Sequence, residues 1–184
     1  MHTQQLLLEL VTQTPAAPET KSQFIARLGE GYVSRDENPH SHFCVYFAAL
    51  DPVREQVFIG HHRKSGLWLF NGGHLDRDED AHTALRREIQ EEWGVSIPKL
   101  AAVRPSLLTT TNIENPQKQT CKKHFDIWFF IQLDRLHFSP KEHLLTAEFY
   151  TWGWRSIDEA SRLMKDPASI TALRYSKQLF LASK

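Results

Sequence analysis

Hydrophobic positions change period several times along the chain. Leu6, Leu7, Leu10 and Val11 recur at helical spacing over 4–12. Pro15 and Pro18 interrupt the pattern, and 19–28 can resume a helix with Phe24, Ile25 and Leu28 inward. Residues 1–40 therefore read as a helical extension packed on a core, and they leave a homodimer contact possible. From His42 the period shortens to two, with Phe43, Val45 and Phe47 alternating with small or polar positions as in a strand. Asp51-Pro52 turns the chain, and 56–61 returns as a second strand. A short third strand, 67–70, ends at Asn71-Gly72-Gly73. A helix is expected over 80–93, with Gly94 as its C-terminal cap. Residues 100–108 read as a strand, and polar 109–123, with Asn115-Pro116, as a long loop of the kind that often carries function. Residues 124–133 are apolar on both faces, which suits a central strand covered on both sides. A last strand, 149–154, precedes a capping box at Ser156 and Glu159, and Asp166-Pro167 leads into a final helix to Leu181. This order predicts an α/β (α+β) fold over 41–184, with a mixed sheet between helical layers.

The expected helix DAHTALRREIQEEW breaks the usual pattern. Successive residues turn by about 100°. With Glu88 at zero, Ala81, Ala84, Leu85, Ile89, Glu92 and Trp93 share its side. Arg86, Gln90, Thr83, Arg87, Asp80 and Glu91 fall on the other, with Glu91 near the border. Two carboxylates thus sit inside the apolar arc. A glutamate-rich helix ordinarily turns its acids to water. Burying a bare carboxylate costs several kcal/mol unless something compensates it. A divalent cation compensates two at once. Glu88 and Glu92, at i and i+4, are side-chain neighbours, and Ala81 and Ala84 leave room for an ion. Mg²⁺ suits a few carboxylates completed by water and phosphate oxygens, with Mn²⁺ as a possible substitute. Arg87, four residues before Glu91, either forms a surface ion pair or orients that residue beside the metal.

Composition narrows the class. The chain has 184 residues, long enough for a sizeable core, and Lys+Arg and Asp+Glu balance at 22 each. No global field favours nucleic acid or an anionic membrane. Cys44 and Cys121 are too few for a disulfide framework and read as reduced thiols of a cytoplasmic protein. The N-terminus lacks the basic start of a signal peptide, and no apolar run approaches the roughly 20 residues of a membrane span.

The same helix and the residues before it match a known signature. The pattern G-x5-E-x7-R-E-U-x-E-E-x-G-U, with U aliphatic, is met at Gly73, Glu79, Arg87, Glu88, Ile89, Glu91, Glu92, Gly94 and Val95. This resembles the Nudix box. Typical residue frequencies make a chance match rarer than about one in a million. The resemblance implies an α/β/α sandwich and hydrolysis of a nucleoside diphosphate linked to another group. It makes Glu88 and Glu92 metal ligands and Glu91 a further ligand or a partner of Arg87. It gives Glu79 a bracing role, for which a charge favoured by the helix dipole is the bland alternative. Gly72 and Gly73 would let backbone approach the phosphates.

Family members often recruit a later acid as base or extra ligand. Glu148, just before the strand 149–154, is the candidate, competing with Glu91 for the catalytic base role, and a solvated strand-entry charge is the bland alternative. His124 and Asp126 either face the cleft or form a satisfied core pair. Trp68, Trp128, Trp152 and Trp154 are either base-stacking platforms or plain core. Isopentenyl diphosphate isomerases share a Trp…Cys-Gly-His stretch, but here it reads Trp68…Gly72-Gly73-His74 and lacks the cysteine. A non-catalytic sensor of a nucleotide derivative is the other alternative, although sensors often lose the box carboxylates that this chain keeps.

Overall fold

The computed structural model describes residues 2–113 and 120–182. In chain order the helices and strands are α1 (His2–Gln13), α2 (Pro18–Gly29), β1 (Ser41–Asp51), β2 (Gln56–His62), β3 (Trp68–Leu69), β4 (Asn71–His74), α3 (Ala81–Glu92), β5 (Pro105–Asn112), β6 (Lys123–Gln132), α4 (Glu142–Glu148), β7 (Phe149–Ser156), α5 (Ile157–Leu163) and α6 (Pro167–Ala182). The strands form one mixed seven-stranded sheet in the order β3-β2-β1-β6-β5, with β4 pairing β1 and β7 pairing β2. No described helix is long and apolar enough to cross a membrane.

The chain divides into two compact units. The first comprises 1–46, 72–85 and 105–129. Its core includes Leu7 and Val11 of α1, Phe24 and Leu28 of α2, and Phe43 and Phe125 of the sheet. Phe24 meets Phe43 and Phe125 edge-on, at centroid separations of 5.7 and 5.2 Å. Ile25 is exposed, contrary to the helical pattern, because Arg27 takes the inward stripe instead. The buried Arg27 guanidinium donates to the carbonyls of Gly31, Tyr32 and Ser41. Such bonds offset the cost of burying the charge.

Strand β1 does not alternate in burial. Cys44, Ala48 and Phe47 are all buried, so both faces of the strand are covered. The expected loop over 109–123 also gives way to structure at both ends. Thr109–Asn112 belong to β5, with Thr109 opposite Asp126 and Thr111 opposite His124. Threonine is polar in composition yet β-branched, and it suits a pleated strand. Asn115-Pro116 lies outside the described residues. The strand expected over 100–108 begins only at Pro105, after a short 3-10 turn at Leu100–Ala102.

The second unit comprises 47–71, 86–104 and 130–184. Its core is aromatic. Trp93 packs edge-on against Phe47 at 4.7 Å and Phe138 at 4.8 Å. Phe58 and Trp154 join the same cluster. Strand β7 pairs antiparallel with β2, Trp154 opposite Phe58 and Trp152 opposite Gly60. A Cβ on Gly60 would lie 2.3 Å from the Phe149 ring, so only glycine fits there. The capping box at Ser156 and Glu159 is formed. Helix α4 is unexpected, being too short for its period to stand out.

Candidate functional site

Helix α3 starts where Asp80 caps it. The Asp80 carboxylate accepts from the amides of His82 and Thr83 at 2.8 and 2.9 Å and from the Thr83 hydroxyl at 2.9 Å. Burial opposes ionisation of this group, but those bonds outweigh it and hold the carboxyl below its ordinary value. The helix ends at Gly94, whose φ of +63° is the left-handed conformation of a C-terminal cap. Between these stops Ala81, Ala84, Leu85, Ile89 and Trp93 are all at most 1% exposed. Glu88 and Glu92 lie among them at 7% and 9% exposure.

Within the second unit these acids are held in a defined arrangement. Arg87 Nη1 donates to Glu88 Oε1 at 2.7 Å and to Glu91 Oε2 at 3.1 Å. One guanidinium therefore holds a buried carboxylate and an exposed one together. Asn71 Nδ2 donates to Glu92 Oε2. Asn71 is itself 1% exposed, and its Oδ1 has no hydrogen-bond partner. A buried acceptor without a donor is costly, and a cation or water beside it would remove that cost. Glu88, Glu91, Glu92 and Asn71 Oδ1 would offer oxygen donors, which suit a hard cation such as Mg²⁺ or Mn²⁺. Sequence reading missed Asn71, because Asn-Gly-Gly reads as turn chemistry.

The other candidates have separate surroundings. Glu79 Oε2 accepts from the Asp76 amide at 3.1 Å, within the loop before α3. A Cβ on Gly72 would lie 2.4 Å from the Val45 carbonyl oxygen, so the tight pairing of β4 with β1 already requires glycine. Gly73 follows it in β4. Glu148 ends α4 immediately before β7, and its carboxylate lies 3.5 Å from His62 Nε2 and 3.7 Å from Lys64 Nζ. Burial lowers the His62 pKa, with Glu148 working against it. Trp128 is fully buried, stacks on Tyr46 and donates to Thr109 Oγ1 at 2.8 Å, so it is core. Trp68 is half-buried and stacks on His61 with centroids 5.6 Å apart.

Asp126 and His124 are not a mutually satisfied pair. Asp126 Oδ2 accepts from Thr109 Oγ1 at 3.0 Å and Thr111 Oγ1 at 2.6 Å. Neither ring nitrogen of the buried His124 has a hydrogen-bond partner. Burial, helped by His42, pushes its pKa down to about 4 and keeps the ring neutral.

A family profile described as the NUDIX domain matches residues 42–175. The chain belongs to the NUDIX family. This NUDIX chain is 29% identical to an RNA pyrophosphohydrolase of Ruthia magnifica subsp. Calyptogena magnifica over 108 residues, 55% of this chain and 60% of that relative. It thus spans less than two thirds of that curated relative's length. Among solved structures it resembles the E. coli dihydroneopterin triphosphate pyrophosphohydrolase, with TM-score 0.54 and 15% identity over 72% of this chain and 92% of that one. It also resembles the MutT protein from Methanosarcina mazei Go1, with TM-score 0.54 and 19% identity over 79% and 96% of the two chains. At these identities the structural likeness establishes the NUDIX fold.

Proposed function

We propose that this chain is a Mg²⁺-dependent hydrolase that cleaves a diphosphate linkage in a nucleoside diphosphate derivative. The observation that carries this reading is the burial of Glu88 and Glu92 in the apolar stripe of α3. Glu88, Glu92 and Glu91 would hold the metal, with Mn²⁺ as a substitute. When bound, the metal supplies neutralisation of phosphate charge and fixes the diphosphate for in-line attack.

The chain's own residues do the rest. Arg87 fixes the spacing of Glu88 and Glu91 through its two contacts. Asn71 orients Glu92. A carboxylate takes a proton from water as the water oxygen bonds to one phosphorus. The bridging P–O bond breaks, and two phosphorylated products leave. Glu91, held by Arg87, and Glu148, beside His62 and Lys64, are the two candidates for that base. Glu79 keeps its place as a bracing residue of the loop before α3.

The name of the curated relative supports a substrate such as RNA or another nucleotide derivative that carries a pyrophosphate linkage. The two buried cysteines, Cys44 and Cys121, support a reducing, cytoplasmic setting. The test is a screen of nucleoside diphosphate derivatives and 5′-phosphorylated RNA with Mg²⁺ or Mn²⁺, scored by product mass. The wild type is expected to release phosphorylated products. Glu92→Gln should lower turnover by about 100-fold or more, as losing a transition-state electrostatic contact does, with its thermal melt unchanged. Turnover within a few-fold of wild type would overturn the reading.

A further inference from the structure

The first unit holds a second group of ligating side chains, chemically unlike the acids of α3. His42 and Cys44 come from β1, His74 from β4 and His124 from β6. One ligand atom from each lies within 4.8 Å of all the others. The three imidazole centroids are 4.7, 4.9 and 5.0 Å apart. Cys121, in the segment before β6, places its Sγ 3.6 Å from His42 Nε2 and 3.9 Å from His74 Nε2. His42, Cys44, Cys121 and His124 are all buried.

We propose that His42, His74, His124 and Cys44 bind one Zn²⁺ ion as a structural site, with Cys121 lying against its rim. Zinc takes nitrogen at about 2.1 Å and thiolate sulfur at about 2.3 Å in a tetrahedron, which sets ligand atoms roughly 3.4–3.6 Å apart. Closing a group already within 4.8 Å to that spacing needs only small side-chain rotations.

Two further observations point to a ligand. His42 Nδ1 lies 2.9 Å from the Asn38 carbonyl oxygen and so donates to it. That bond leaves Nε2 with its lone pair, the arrangement in which a backbone carbonyl orients a metal-binding histidine. His124 is 6% exposed with both ring nitrogens unbonded. A buried polar ring without partners is disfavoured, and a metal bond to one nitrogen removes that cost. Three imidazoles and a thiolate suit zinc and not Mg²⁺, whereas the carboxylates of α3 suit a hard cation such as Mg²⁺. Binding converts the Cys44 thiol to thiolate and releases its proton to solvent. The ion would tie β1, β4 and β6 together.

The test measures metal rather than turnover, so it stands apart from the hydrolase reading. Full-length protein is loaded with Zn²⁺, desalted in the presence of excess Mg²⁺ and assayed for zinc by mass spectrometry. One zinc per chain is expected, retained in Glu92→Gln and reduced at least tenfold in His42→Ala/His124→Ala. Folded wild-type protein that retains no zinc overturns the proposal, as does zinc lost through Glu92→Gln but kept without the two histidines. Wild type reconstituted with Co²⁺ should show the strong visible bands of a tetrahedral site and a thiolate charge-transfer band that Cys44→Ser abolishes. A charge-transfer band that survives Cys44→Ser overturns Cys44 as the sulfur ligand. The wild-type stoichiometry and spectrum depend on no variant folding.

Discussion

Gly72 shows how one missing side chain serves the backbone first. Its place in the Nudix box region invites a phosphate-approach role, yet Val45 and Tyr46 of β1 already fill the space a Cβ would need. Gly72→Ala should therefore destabilise the protein by about 1–3 kcal/mol, the range for overpacking, read as a lower urea midpoint. An unchanged midpoint would return Gly72 to a purely ligand-facing role. Arg87 makes the complementary point. The i, i+4 spacing predicts its contact with Glu91, but its contact with Glu88 depends on the side chain's path. Asn71 had no signal in the sequence, because its partner Glu92 is far along the chain and on another element.

At the scale of elements, α3 was the most legible part of the molecule. Its start at Asp80, its apolar stripe and its stop at Gly94 are all local features, and helical geometry converts their spacing directly into position. Asp80→Ala removes the side-chain acceptor at the start of α3. It should cost about 1 kcal/mol of stability, as lost N-caps do, and a thermal melt equal to wild type would show that the cap contributes nothing. Strand β5 was harder to see. Its threonines resembled a loop until β6 supplied Asp126 as their partner. Helix α4 was missed because seven residues hold too little period to recognise.

For the whole molecule, acid sensitivity follows from carboxylates ionised in the folded state. Asp51 is fully buried, which opposes ionisation, but bonds from the Arg54 amide and guanidinium and from the Arg135 amide outweigh burial and lower its pKa. Asp80 is lowered in the same sense. A carboxyl with a depressed folded pKa stabilises the protein above its unfolded value of 3.8, and that contribution is lost as pH falls through the folded value. Stability in urea should fall steadily below about pH 5, and Asp51→Asn should flatten the slope. An Asp51→Asn variant with the wild-type slope would show that Asp51 plays no part in the acid transition.

The sequence alone determined what local geometry encodes: the capping box, the start and stop of α3, and the placing of Glu88 and Glu92 in an apolar stripe. Residues a turn apart on a helix are neighbours whatever the rest of the chain does. Only the tertiary structure could join Asn71 to Glu92, the threonines of β5 to Asp126, and His42, Cys44, His74 and His124 into one cluster. Those contacts bring together strands and loops far apart in the chain. Sheet pairing sets their register, and no periodicity in the sequence records which distant residues will meet.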